Sequence, residues 1–227
     1  ATIRKTEMMS EIEYPTIRNS VHLLVLDEHF ELVSSKEMEE KLTRDMYVSF
    51  TTGLEDCRLI NEHFMIGVLL DSNAEWNPDT CLCKYDIETG HITKMTYLGD
   101  GRTPQKNWLV LQENIQNFNI LHSYSPLKVV SVDKETGTQN MVHFQKVFNL
   151  EGCEMHGGGC FYMDYKKQYL VNVRVIRNHN YEFSLWLLFN EKYKLMGTSE
   201  PFHFLEHTDE RHYEVVMSLL GKGEKLL

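Results

Sequence analysis

One phrase, repeated along the chain, limits what this sequence can become. An apolar run ends on Asp or Asn, turns tightly and returns as a second run. It is met first at residues 20–27 (SVHLLVLD), followed through Asp-Glu-His by residues 30–34. It recurs at 81–86 (CLCKYD), where residues 64–71 (FMIGVLLD) precede it and Glu88-Thr89-Gly90 leads into 91–98 (HITKMTYL). Residues 127–133 (LKVVSVD), the turn Glu135-Thr136-Gly137 and residues 138–144 repeat it. The last copy is 183–189 (FSLWLLF), the turn Asn190-Glu191-Lys192 and residues 193–196. Apolar, β-branched runs joined by short turns of Asp, Asn and Gly predict antiparallel hairpins.

The copies begin near residues 20, 81, 127 and 183. Spacings of roughly 46 to 61 residues suit one four-stranded propeller blade plus a loop. With an incomplete first unit and a final run at 213–220, the count falls between four and five blades. The expectation is an all-β, five-bladed-type β-propeller, incomplete in this chain, forming a single domain over residues 1–227. Helical periodicity is confined to residues 35–44, where Lys36, Glu37, Glu39, Glu40 and Lys41 suggest a short solvated turn.

The formal net charge of −10 opposes a broad nucleic-acid footprint, which needs clustered Lys and Arg, and electrostatic docking on an anionic membrane. No apolar run approaches the ~20 residues of a helical span. The five cysteines, Cys57, Cys81, Cys83, Cys153 and Cys160, follow no disulfide framework, and no Asn-x-Ser/Thr acceptor occurs. Both point to a reducing, cytoplasmic setting. A first residue that is not Met, with no apolar leader after it, suggests a segment of a longer polypeptide.

The most pointed segment is Gly53-Leu54-Glu55-Asp56-Cys57-Arg58. Adjacent carboxylates with an Arg two positions on form a coupled charge cluster. Strand alternation predicts Asp56 and Arg58 on one face and Glu55 on the other. A structural ion pair is the competing reading. The run Gly157-Gly158-Gly159 after His156 lets backbone approach a ligand, or else makes a bend leading into a blade. Arg174, Arg177, Asn178, His179 and Tyr181 are either a ligand-binding rim or a solvated hairpin connection. Trp186, inside the apolar run 183–189, is expected to lie in the core. Cys81-x-Cys83 reads as two core-facing thiols; its spacing, like that of Cys153 and His156, matches no common zinc site.

These segments together resemble glycoside hydrolase family 130, the five-bladed β-mannoside phosphorylases and related β-mannoside-acting enzymes. "GLEDCRLI" is similar to the Gly-x-Glu-Asp-Pro-Arg signature of that family. Lys106-Asn107-Trp108, Leu121-His122-Ser123 with Ser125-Pro126, Met155 to Gly159, and Ser199-Glu200-Pro201-Phe202 followed by Tyr213-Glu214 resemble its further elements in the same order. A group of glycosyltransferase-associated propellers shares the "KNW…YSP" and "SEPFHF" segments more closely. The resemblance implies Asp56 as general acid, with Arg58, Lys106 and His122 holding an anion. It implies carbohydrate contacts from Glu55, Asn107, Trp108, His156, Tyr181 and Glu214. Inorganic phosphate or a sugar phosphate would be co-substrate, with no metal or other cofactor. Cys57 replaces the signature Pro, and Ser123 stands where the family has Arg. The expected activity is therefore glycoside phosphorylase, glycosidase or glycosyltransferase chemistry on a β-mannoside-like substrate. The rival is a non-catalytic carbohydrate-binding or scaffolding module.

Overall fold

Each repeated phrase is an antiparallel hairpin in the computed structural model, which describes residues 2–9, 16–29, 31–39, 41–42, 51–72, 78–97, 108–146, 153–177, 181–204, 221–222 and 225–226. Every regular element among the described residues is a strand. Two compact units divide the chain, Ala1–Lys106 and Asn107–Leu227.

In the first unit β1 (Thr2–Met9), β2 (Thr16–Leu26) and β3 (Leu32–Glu37) form an antiparallel sheet. β4 (Lys41–Leu42) and β5 (Thr51–Thr52) are two-residue strands; β5 runs parallel to β2. The second sheet is the meander β6 (Glu55–Leu59), β7 (Phe64–Ser72), β8 (Pro78–Asp86) and β9 (His91–Tyr97), with β4 parallel to β9. Its core joins Val21 of β2 to Leu54, Met65, Leu69, Cys81, Cys83, Tyr85 and Ile92. Cys81 and Cys83 are fully buried on one face, as two residues apart on a strand must be. No disulfide joins any of the five cysteines, all of them described residues.

The second unit is built from two further meanders. One runs β10 (Leu109–Glu113), β11 (Asn117–Tyr124), β12 (Leu127–Asp133), β13 (Gln139–Gln145). The other runs β14 (Cys153–Met163), β15 (Gln168–Arg177), β16 (Tyr181–Asn190), β17 (Leu195–Thr198). β18 (Gly221–Lys222) and β19 (Lys225–Leu226) form a two-stranded ladder. Val171, Val173 and Val175 of β15 alternate toward one face, where they meet Leu185, Leu187 and Phe189 of β16 and Leu109, Leu121, Leu127 and Val129 of the preceding meander. Fully burying each such aliphatic side chain contributes about 1.5–3 kcal/mol. The opposite face of β15 carries Asn172, which is buried and donates its amide to the Leu185 carbonyl at 3.4 Å.

The turns follow their side chains. The Asp86 carboxylate accepts from Thr89 N and Oγ1 at 2.7 and 2.8 Å, and Asp133 from Thr136 N and Oγ1 at 2.7 and 2.9 Å. Gly90 and Gly137 then take φ of 73° and 68°, which costs glycine nothing.

One expectation is corrected here. The charged run 35–39 is not a helical turn: Ser35, Lys36 and Glu37 end β3 in register with Leu24, Leu23 and His22 of β2. β3 is exposed throughout, so its charges sit on a solvated strand edge, a common way of protecting an edge. Helix propensity is too weak to outweigh a ladder of backbone hydrogen bonds. Residues 43–44 and the run 213–220 lie outside the described residues. Among the described residues no helix is long and apolar enough to cross a membrane.

Candidate functional site

Strand β6 is short and irregular for a reason visible in its register. Glu55 pairs with Val68 and Arg58 with Ile66, so Asp56 and Cys57 together stand opposite Gly67. One strand holds an extra residue, which is a β-bulge. Asp56 absorbs the distortion with φ of 50°, just after Gly53 with φ of 92°. Asp is among the few residues that tolerate the left-handed region, and strained backbone of this kind concentrates at functional sites. Glu55, Asp56, Cys57 and Arg58 are all half-buried.

The bulge also corrects the expected facing. Val68 and Ile66 are two apart on β7 and share a face, so their partners Glu55 and Arg58 share it too. Strict alternation had set Glu55 apart from Arg58. Cys57 goes the other way and packs against the core of the first unit.

In the second unit Trp108 and His122 are brought together. Their rings stack with centroids 5.7 Å apart and an interplanar angle of 20°. His122 is itself the extra residue of a bulge, since Leu121 pairs with Val129 and Ser123 with Lys128. Trp108 is only 5% exposed, so its indole is packed against an imidazole and does not offer the open platform expected for a sugar. Trp186, expected in the core, is the half-buried one. It stacks on Phe202 at 5.9 Å and meets the edge of Phe204 at 6.2 Å. Alternation along β16 explains the exchange, because Leu185 and Leu187 claim the core face. Ser123 donates its hydroxyl to the Pro126 carbonyl at 2.6 Å.

His156, Arg174 and Ser184 form one row across β14, β15 and β16, and Ser184 bridges on to Phe202. The Nε2 of His156 and the Nε of Arg174 are buried atoms. His156 Nε2 lies 3.5 Å from the Glu154 carboxylate. The row sets a guanidinium, an imidazole and a hydroxyl side by side, chemistry suited to an anionic or polyhydroxyl group. The glycine run is not a bend leading into the strand. It lies inside β14, where the register breaks between Gly157 and Cys160. The positive-φ glycines among the described residues are Gly53, Gly90 and Gly137, and the run contains none of them. Its glycines are buried and mark a bulge rather than a turn.

Lys106, Asn107 and Glu214 lie outside the described residues, as do Asn178 and His179. Tyr181 pairs with Arg177 at the start of β16, and its side chain is outside the description. Ser184 and Gly67 escaped the sequence reading. A buried serine in an apolar run and a glycine in a strand give signals only once their partners are known. No protein-family model matches this chain, and no curated protein matches it either.

Proposed function

We propose that the chain is a carbohydrate-active β-propeller that transfers a glycosyl group from a β-mannoside-like substrate, with Asp56 as general acid. The observation that carries this reading is the bulge at β6. It sets an acidic residue in a left-handed backbone beside the Glu55 and Arg58 pair, in the segment that resembles a catalytic signature. The three sequential four-stranded meanders support the propeller itself, since each has the strand order of a blade. The proposed propeller is one domain over residues 1–227 of a cytoplasmic protein.

In the proposed reaction a phosphate oxygen attacks the anomeric carbon from the face opposite the leaving group. The glycosidic C–O bond breaks as the Asp56 proton passes to the departing oxygen. Arg58, with Lys106 and His122, would hold the phosphate. Glu55, His156 and the remaining contacts implied by the resemblance would hold the sugar. Running backwards, the same site is a glycosyltransferase.

A specific observation favours a second reading, a non-catalytic carbohydrate-binding module. Ser123 stands where the family it resembles has an arginine and donates its hydroxyl to the Pro126 carbonyl, leaving that position without a cation for phosphate. Phosphate-dependent release of mannose 1-phosphate from short β-mannosides distinguishes the two. Turnover that falls by ~100-fold or more in Asp56→Asn is expected for a general acid. Sugar binding in calorimetry without turnover would establish the binding module, and absence of both would overturn the carbohydrate reading.

A further inference from the structure

The bulge that sets Asp56 has a lock, and the lock is a thiol. A Cβ placed on Gly67 would lie 2.9 Å from the Cys57 Sγ, 3.2 Å from the Glu55 carbonyl oxygen and 3.3 Å from the Leu54 Cδ2. Contacts so short mean that Gly67 lacks a side chain because Cys57 fills its place. Gly67 pairs on its other side with Cys83, and both Cys83 and Leu54 are fully buried. The Cys57 thiol is thus seated on the core face of the sheet. Glu55 and Arg58 are fixed on the opposite face by their ladder partners Val68 and Ile66. Asp56 is the residue between these anchors, with φ of 50°.

We propose that Cys57 is a positioning residue for Asp56: its thiol, seated over Gly67, holds the bulge in the register that gives Asp56 its left-handed backbone. The consequence for catalysis rests on the reading of Asp56 as general acid; the seat itself stands on the geometry of β6 and β7. A Cβ on Gly67 would compete with the thiol for this space, and deleting the thiol leaves the notch above Gly67 open and the bulge free to slip by one residue.

The full chain carrying Cys57→Ala, Gly67→Ala, both together, or Cys81→Ala as a control tests this. Cys81 is a fully buried thiol of the core against which Cys57 packs, but it pairs with Leu69 and does not face the bulge. Gly67→Ala is expected to lower Tm by ~5 °C alone. In the Cys57→Ala background it should cost less than half as much, the remainder coming from the Glu55 carbonyl. Equal losses in both backgrounds would overturn the proposal. The Asp56 13Cβ and amide shifts should move in Cys57→Ala, return toward wild type in Cys57→Ser, and stay in place in Cys81→Ala. Shifts that move equally in Cys57→Ala and Cys81→Ala, or in neither, would also overturn it. In turnover, Cys57→Ala should lower kcat with KM nearly unchanged. If Asp56→Asn leaves turnover intact the general-acid reading fails, while the stability cycle and the Asp56 shifts still decide the seat.

Discussion

Asp86 and Asp133 end two copies of the same phrase and are held by the same bonds. Each carboxylate accepts the backbone N–H of the Thr three residues on, and that Thr's hydroxyl as well. Because these bonds favour the charged form, both carboxyls sit below the ordinary value of 3.8, the Thr backbone bond being the main cause in each. A lowered folded-state pKa contributes stability that is complete above the unfolded value and is lost as pH falls through the folded one. The loss should therefore begin below about pH 4 and continue into stronger acid. In Asp86→Asn/Asp133→Asn an acceptor oxygen remains but no charge, so the urea midpoint should fall less steeply than wild type between pH 4 and pH 2. Parallel profiles would show that the turns carry no acid sensitivity. These residues were legible from sequence because an Asp followed by Thr-Gly closes a turn by its own side chain. Asp56 was legible as a charge but not as a strained residue. Its φ depends on Gly67, which is eleven residues away and carries no local signal.

Among the elements, hairpins read true and irregularities did not. A strand that alternates along its length and stops at a side-chain-closed turn needs only local information. β12 and its return strand β13 begin and end within a residue or two of the expected runs. Bulges are different, because an extra residue is defined only against a partner strand. Those at Asp56–Cys57, His122 and Gly158–Gly159 were invisible for that reason, and the first reversed the expected facing of Glu55. Space around a glycine is likewise a property of neighbours. Gly90 combines φ of 73° with a notional Cβ only 2.6 Å from the Glu39 carbonyl oxygen, a backbone atom that also accepts the Tyr85 hydroxyl at 2.6 Å. Gly197 on β17 has nothing within 4 Å of its Cβ position. Gly90→Ala should then cost about 2–4 kcal/mol, combining backbone strain with overpacking. Gly197→Ala should be neutral or stabilise by up to ~1 kcal/mol. Denaturant unfolding of the two variants decides it, and equal costs would mean that the Gly90 turn relaxes freely.

For the molecule as a whole, the sequence told which residues are apolar but not how its polar groups would be housed among them. Strands buried on both faces, such as β15 with Val171 and Asn172 adjacent and both buried, break the simple in–out pattern. The same holds for Tyr193, which lies outside the regular strands. It is 5% exposed, has φ of 62°, donates its hydroxyl to Gln112 at 2.9 Å and accepts the Asn119 amide at 2.6 Å. Tyr169, 2% exposed, packs its ring 5.6 Å away. The pair joins β15 and the turn before β17 to β10 and β11, and so ties both meanders of the second unit. Burial, the first cause in each, pushes both phenols above their ordinary value of 10.0. In the unfolded chain they ionise near that value, whereas in the folded chain they keep their protons to higher pH. The folded state therefore binds more protons above pH 10, and stability, complete below it, must fall as pH rises toward the folded values. Tyr169→Phe/Tyr193→Phe removes both groups. At pH 8 it should be less stable by about 1–3 kcal/mol, since Asn119 and Gln112 lose buried partners. Between pH 10 and 11.5 it should lose less stability than wild type, so that the two urea profiles converge. The chain has eleven tyrosines, and the difference between profiles isolates these two. Profiles that stay parallel would place the alkaline sensitivity elsewhere and leave the pair as a packing contact alone.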